Sequence, residues 1–154
     1  MIDWILVDTA LWQPRNFRFL DVSGTEFLVD WYPGASYGPS FFLKKLHLGY
    51  TQLMSDYPED APASRYALEY LKHQVTVGAD VGFRKLRLSV QYRYADRINV
   101  EDFSIVDARI TYGGSKFSVF AEATNVLDEK YLGANLIEMP GRWFRAGVRT
   151  KFMY

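Results

Sequence analysis

The chain contains no cysteine, so it has neither disulfide bonds nor thiolate metal sites. Neither charge is in excess, because 18 lysine and arginine residues balance 18 aspartate and glutamate residues. A basic nucleic-acid-binding surface is therefore not indicated. No segment of the 154 residues approaches the run of about 18 apolar residues that a membrane-spanning helix needs, which argues against a helical membrane protein.

A recognisable signal peptide is also lacking. The first residues, MIDWILVDTALWQPRN, carry Asp3 and Asp8 where a leader would have basic residues and an unbroken apolar run. We therefore expect either that the chain stays in the cytoplasm or that Met1 is not the true start.

Apolar and polar residues alternate through residues 71–83 and 86–94, with a break of two residues between them. A period of two predicts strands with unlike faces. The short break predicts a tight hairpin in which Phe83 pairs with Leu86. Aromatic residues make up 17% of the chain, which suits β-structure and membrane interfaces.

The same alternation recurs in three later segments: residues 106–112, 117–123 and 144–154. The glycines of a GGS turn separate the first two, and Phe120 is an exception within the second. Upstream the pattern is weaker, in residues 2–8, 17–32 and 39–56. There Lys44 falls on the apolar face, where it would snorkel to an interface, and the face changes near Gly24, which predicts a β-bulge. The sequence predicts an all-β fold of about eight meandering strands and no helix.

Short and long connections mostly alternate along the predicted strands. In order they are residues 9–16, 33–38, 57–69, 84–85, 98–101, 113–115 and 127–140. If the C-terminus is periplasmic, the even-numbered connections are periplasmic turns and the odd-numbered ones are extracellular loops, with 98–101 unusually short. Short turns on one side and long loops on the other are typical of outer-membrane barrels.

The length and purity of the five clearest strands favour a membrane barrel. Each has about 10 to 13 residues, which suits a tilted membrane strand better than the usual strand of about five or six. An arginine that faces lipid near the bilayer midplane would cost about 2 to 4 kcal/mol. The dry core of a soluble protein would not tolerate the charged residues on the polar side of these strands. We therefore expect an antiparallel up-and-down transmembrane β-barrel whose lumen receives Asp80, Arg87, Arg93, Glu122, Arg145, Arg149 and Lys151.

The last third of the chain contains recognisable motifs. Asn125 to Asp128 form the run NVLD, Lys130 and Tyr131 follow, and Pro140-Gly141-Arg142 opens a final strand that ends in an aromatic residue. At this spacing the segment resembles the C-terminal end of TonB-dependent outer-membrane receptors. RNFRFLDVSGTEFLVDW resembles the family strand that contains Gly-x-Glu, here Gly24 to Glu26, and SRYALEYLKHQVTVGADVGF resembles its loop-to-strand entry with Lys72-His73. The resemblance covers essentially the whole chain.

This resemblance implies a 22-stranded barrel closed by an N-terminal plug domain. Residues 1–154 would be its C-terminal portion, without the plug and the signal peptide. Such receptors import scarce ligands, and among subfamilies the chain looks most like the iron-siderophore and cobalamin receptors. The implied partners are outer-membrane lipid of a Gram-negative cell, the rest of the barrel and its plug, TonB through that plug, a small-molecule ligand, and the barrel-assembly machinery. The barrel-assembly machinery would recognise the C-terminal strand. Family members usually end at the aromatic residue that Phe152 matches, and in this chain Tyr154 supplies the terminal aromatic residue.

In such a receptor, two loops would reach the ligand. We expect contacts from Tyr57, Arg65, Tyr66, Tyr131, Asn135 and Glu138, because loops on rigid scaffolds tend to bind. A structural role is expected for Asn125 and Asp128, which cap the loop entrance, and for Pro140, Gly141 and Arg142 at its exit. His47 and His73 are predicted to lie far apart, so no metal site is expected, and no catalytic motif, enzyme activity or cofactor is indicated.

Two other interpretations remain open. The chain could be a complete eight-stranded outer-membrane barrel with a structural or adhesive role, whose interior is filled by side chains. Alternatively, it could be a soluble ligand-binding barrel with its apolar face inward, in which Tyr92, Tyr94, Tyr112, Phe152 and Tyr154 would be core residues.

Overall fold

The computed structural model describes residues 2–7, 11–16, 21–38, 41–55, 71–98, 100–133 and 137–152. Within them the chain forms nine strands and one short helix: β1 (Ile2–Val7), β2 (Leu11–Asn16), β3 (Val22–Trp31), α1 (Gly34–Tyr37), β4 (Leu43–Ser55), β5 (Leu71–Phe83), β6 (Leu86–Arg97), β7 (Val100–Gly113), β8 (Phe117–Thr124) and β9 (Trp143–Thr150). No helix in this described part is long and apolar enough to cross a membrane.

Seven strands form one antiparallel sheet in chain order, from β3 to β9. Each strand pairs with the strand before and after it, so the sheet is an up-and-down meander, as the alternation predicts. The sheet is open, because within the described residues β3 and β9 each have a paired neighbour on one side only. β1 and β2 form a separate two-stranded sheet.

The second strand was not expected, because residues 9–16 were predicted to be a connection. Leu11–Asn16 instead pairs with Ile2–Val7 in antiparallel register, with Pro14 opposite Trp4. A proline signals a turn in sequence, but in a two-stranded sheet every strand is an edge and can accommodate a residue without an amide hydrogen. The described residues therefore contain nine strands, one more than the eight or so that the sequence predicts.

The hairpin between β5 and β6 has the predicted register, with Phe83 opposite Leu86. Its two-residue turn is closed by Arg84 in the left-handed region, at φ 54°. The turn between β7 and β8 instead relies on glycine, because Gly113 has φ 137° and a Cβ there would lie 2.4 Å from the carbonyl oxygen of Phe117.

The substitution Gly113→Ala should destabilise the protein by about 1 to 3 kcal/mol, because alanine is strained at this φ and its methyl group meets backbone. Gly114→Ala is the matched control, since a Cβ at Gly114 meets nothing within 4 Å. Urea unfolding of the two variants in detergent micelles measures the difference. Equal stability would show that the turn relaxes without cost.

One of three register shifts in the described sheet lies at Lys44, and the bulge predicted near Gly24 is absent from the described pairing of β3 with β4. β3 and β4 pair without interruption from Val22 to Trp31, whereas the β4–β5 register shifts between Leu43 and Lys45. The shift moves the Lys44 side chain against Gly82, whose added Cβ would lie 3.0 Å from Lys44 Cε. Lys44 therefore leaves the apolar face, and its predicted position there is wrong because a bulge reverses the alternation locally.

The sheet has two unlike faces, here named from their central residues. The apolar face is the side of the sheet that carries Val77 and Val90, and the polar face is the side that carries Asp80 and Gln91. Large apolar side chains on the first face are strongly exposed, including Phe144 at 76% and Val148 at 62%. Soluble monomers rarely leave so broad an apolar surface uncovered. Among the described residues no second layer packs on it.

Buried apolar residues lie on the other face. Ala95 and Ile105 are 4% and 3% exposed, and register places them on the polar face near the end that carries the long loop between β8 and β9. Asn125, at the start of that loop, is also buried. The small core of the described chain therefore forms where this loop folds over the polar face.

Candidate functional site

The polar face brings together the charged residues predicted to share one side of the sheet. Cross-strand register aligns Asp80, Ser89, Arg109, Glu122 and Arg145 in one row across β5 to β9. Arg87 lies one row away on the same face, Arg93 and Arg149 lie two rows away, and Lys151 follows directly after β9. Whether this face lines a lumen stays a prediction.

Phe120, the exception to the alternation, has a place on the polar face. It is directly opposite Gly147, and a Cβ on that glycine would lie 2.8 Å from the Phe120 ring. The guanidinium of Arg109 lies 4.1 Å from the centre of the same ring. The missing side chain at Gly147 makes room for the ring, and the ring orients Arg109 by a cation–π contact.

One group of charges lies where β3 and β4 meet. Lys45 Nζ is 3.0 Å from Asp30 Oδ1, and the same oxygen is 2.7 Å from His47 Nδ1. His47 Nε2 is 3.5 Å from the Thr76 hydroxyl on β5. His47 is opposite Gly78 and His73 opposite Gln52, so the two imidazoles lie on different faces, in accord with their predicted separation.

A second group of charges centres on Glu122 in β8. Arg145 donates a hydrogen bond of 2.5 Å to Glu122 Oε1, and Arg109 lies 3.5 Å from Oε2. The Glu122 side chain is only 14% exposed. A carboxylate held between two guanidinium groups joins three neighbouring strands, β7, β8 and β9.

Replacing Glu122 with glutamine should lower the free energy of unfolding by about 1 to 2 kcal/mol, because two charge-assisted contacts are weakened and two arginines face each other. Glu101→Gln, at an exposed position on β7, is the control and should change stability by less than about 0.5 kcal/mol. Urea titration at low salt measures both. Indistinguishable variants would show that solvent screens the Glu122 contacts completely.

A cleft of about 490 Å³ runs between these two groups. Its walls include Lys45, His47, Asp80, Gln91, Asp107 and Glu122. The lining mixes both charges with an amide and a histidine, so the cleft suits water or a polar ligand rather than an apolar one.

The loop after β8 begins with a hydrogen-bonded unit around Asn125. Its side-chain amide donates to the carbonyl oxygen of Glu129 at 2.8 Å and accepts from the amide of Glu129 at 2.9 Å. The backbone amide of Asn125 donates to Asp107 Oδ1 at 2.8 Å. Asn125 and Asp128 both have positive φ, at 49° and 58°, and Asn and Asp tolerate this region better than most residues.

The same unit joins the exit of the loop to its entrance. The backbone amide of Arg142 donates to Asp128 Oδ1 at 2.7 Å, and a Cβ on Gly141 would lie 2.5 Å from that oxygen. This arrangement agrees with the structural role expected for Asn125, Asp128, Gly141 and Arg142.

Tyr131 anchors the loop to the sheet. Its ring stacks on Phe103 of β7 at a centroid distance of 4.4 Å. Arg97 lies over the same phenylalanine and donates to the carbonyl oxygens of Leu132 and Gly133. A cavity of about 390 Å³ remains between the loop and the strands, bordered by Arg93, Tyr131, Met139 and Trp143.

The predicted ligand contacts are only partly described. Tyr57, Arg65, Tyr66 and Asn135 lie outside the described residues. Tyr131 is half-buried against Phe103, and Glu138 is exposed in a bridge with Leu132. Their role in binding stays a prediction.

Sequence reasoning missed five contributors to the polar face: Asp30, Lys44, Arg97, Phe103 and Asp107. Asp107 had an available signal, because it occupies a polar position within a clear alternation. Lys44 and Arg97 had no such signal, because each lies beside a register shift that interrupts the alternation.

Among the described residues, no group of three or more histidine, cysteine, aspartate or glutamate side chains is placed to hold a metal ion. Comparison of the chain with protein-family models, curated proteins and solved structures found no match.

Proposed function

We propose that the chain forms the C-terminal strands of an outer-membrane β-barrel of the TonB-dependent receptor type, which imports a scarce ligand such as an iron-siderophore or cobalamin into a Gram-negative cell. The observation that carries the proposal is the sheet itself. Seven consecutive antiparallel strands expose an apolar face on one side and carry a charged, ion-paired face on the other. This is the distribution that a barrel wall between lipid and water requires.

The open edges of the sheet favour a segment of a wide barrel over a small closed one. An eight-stranded barrel would pair its first and last strands, whereas β3 and β9 do not pair with each other in the described structure. Open edges are not tolerated in hydrocarbon, so further strands would complete the barrel wall. A soluble barrel would bury Val77, Val148 and Phe144, which are exposed here.

Support for the receptor family comes from the sequence motifs and from their physical connection. Residues of the NVLD run and of the Pro-Gly-Arg run are hydrogen-bonded to each other through Asp128 and Arg142. Two motifs matched separately in sequence therefore act as one loop anchor. In the proposed receptor, the polar face lines the lumen, and the plug occupies that lumen and contacts TonB. The barrel-assembly machinery recognises the final strand.

Uptake tests the proposal. Cells expressing the chain together with all in-frame upstream coding sequence should accumulate a radiolabelled ferric siderophore or cobalamin, and deletion of TonB should abolish the accumulation. An upstream sequence without a plug or further strands, or uptake that is indifferent to TonB, would contradict the transport function while leaving the barrel wall possible.

A further inference from the structure

The end of the polar face near the short turns carries a group of basic residues. A cavity of about 1030 Å³ opens there between the β5–β6 and β7–β8 turns. Among its described lining residues none is acidic and six are basic: Lys44, Arg84, Lys85, Arg87, Arg109 and Arg149. Asp80 and Glu122 lie in the row of Arg109, one row beyond Arg87, and Asp107 lies one row farther from the turns.

Hydroxyl groups lie directly across from the two arginines nearest the turns. Arg87 on β6 pairs with Thr111 on β7, and Arg149 on β9 pairs with Ser118 on β8. Ser118 also pairs with Gly113, two residues beyond Thr111, so the two Arg–hydroxyl pairs occupy adjacent rows about 7 Å apart along the strands. The two hydroxyl residues lie on neighbouring strands, and the two arginines lie on the outer strands of the four, about 14 Å apart across the sheet. Each pair combines a guanidinium fork with a hydroxyl donor on one side of the sheet.

These two arginines differ from Arg109 and Arg145 in their contacts. Arg109 and Arg145 both contact Glu122. Arg87 and Arg149 are exposed and form no ion pair or hydrogen bond with any described side chain. Side chains of like charge repel each other, and a bound anion offsets that repulsion.

We propose that this turn-end surface, formed by Arg87, Thr111, Ser118 and Arg149, binds phosphate groups. A guanidinium donates two parallel hydrogen bonds to a phosphate, and hydroxyls complete the set of donors that several oxygens on one centre can accept. The phosphate has two available sources: a soluble phosphate ester entering the polar side, or a lipid headgroup beside the short turns. The site requires only that this end of the polar face is open to water.

Calorimetric titration with pyrophosphate tests the surface. The chain is expressed together with its in-frame upstream coding sequence and reconstituted in phosphatidylcholine vesicles at low salt, and binding should weaken as salt is raised. Arg87→Gln and Arg149→Gln should each weaken pyrophosphate binding about tenfold, which removal of one bidentate contact predicts. Arg93→Gln is the control, because Arg93 lies on the same strand and face about 20 Å away, and it should change affinity less than about twofold.

Vesicles containing phosphatidylglycerol distinguish the two sources. If headgroups occupy the surface, pyrophosphate affinity should fall at least tenfold in these vesicles for the parent chain and not for Arg87→Gln, whereas a soluble ligand leaves it unchanged. Circular dichroism should show an unaltered strand content in every variant. The proposal is wrong if pyrophosphate does not bind, if Arg93→Gln weakens binding as much as Arg87→Gln, or if a tetraglutamate peptide binds more tightly than pyrophosphate. None of these results bears on TonB-dependent uptake, so the two proposals fail separately.

Discussion

Arginine in place of Val90 is expected to lower the free energy of unfolding in lipid vesicles by about 2 to 4 kcal/mol, whereas arginine at the adjacent Gln91 should change it by less than about 0.5 kcal/mol. The two residues are neighbours on β6 but lie on opposite faces. Val90 is opposite Ala79 and Ala108 on the apolar face, and Gln91 is opposite Asp107 on the polar face. In the proposed barrel, only the first substitution turns a charge toward hydrocarbon.

Arginine substitutions at different depths along β6 distinguish a lipid environment from a protein core. Val90 is the middle one of five apolar-face positions on β6, from Leu86 at the turn to Tyr94. In a bilayer, the cost of arginine falls to about 0 to 1 kcal/mol near the interface, so Leu86→Arg should be much milder than Val90→Arg. A soluble barrel with an inward apolar face would unfold reversibly without lipid, and the cost would follow burial instead of depth. Urea titration in vesicles and in plain buffer measures both.

Asn125→Ala should destabilise the protein by about 2 to 4 kcal/mol, because the side chain is only 4% exposed and both of its hydrogen bonds to Glu129 are lost. The left-handed backbone at this residue adds strain for alanine. The loop should also lose its anchorage, so amide protons from Val126 to Gly133 should exchange faster.

Asn125→Gly separates the two causes. Glycine accepts a φ of 49° without strain but makes no side-chain hydrogen bond. The glycine variant should therefore be more stable than the alanine variant by about 1 kcal/mol and still less stable than the parent chain. Stability of the alanine variant within about 0.5 kcal/mol of the parent would show that the Asn125 contacts do not hold the loop.

The alternation of the sequence predicted the sheet well wherever strands are long and regular. The β5–β6 hairpin, the meander order and the shared face of Arg87, Arg93 and Glu122 follow from a period of two and from turn length. These features are local, so the sequence contains them directly.

Features that depend on distant contacts were not predictable. The bulge at Lys44 changes which face its side chain joins, and only the pairing of β4 with β5 reveals it. Ile105 is buried because Tyr131 and Asn125 bring a loop over the polar face, although its own position alternates like its neighbours. The pairing of Asp30 with Lys45 and His47 depends on β3–β4 register, which an ambiguous alternation near Gly24 left undetermined.

Because the chain contains no cysteine, a single introduced cysteine can be labelled specifically. Such labels test directly whether one face of the sheet meets lipid and the other meets water. Val90→Cys and Gln91→Cys are each labelled with an environment-sensitive fluorophore, and the chain is refolded in vesicles. Brominated lipid chains should quench the label at residue 90, and aqueous iodide should quench the label at residue 91. Iodide quenching at residue 90, or lipid quenching at residue 91, would contradict this arrangement.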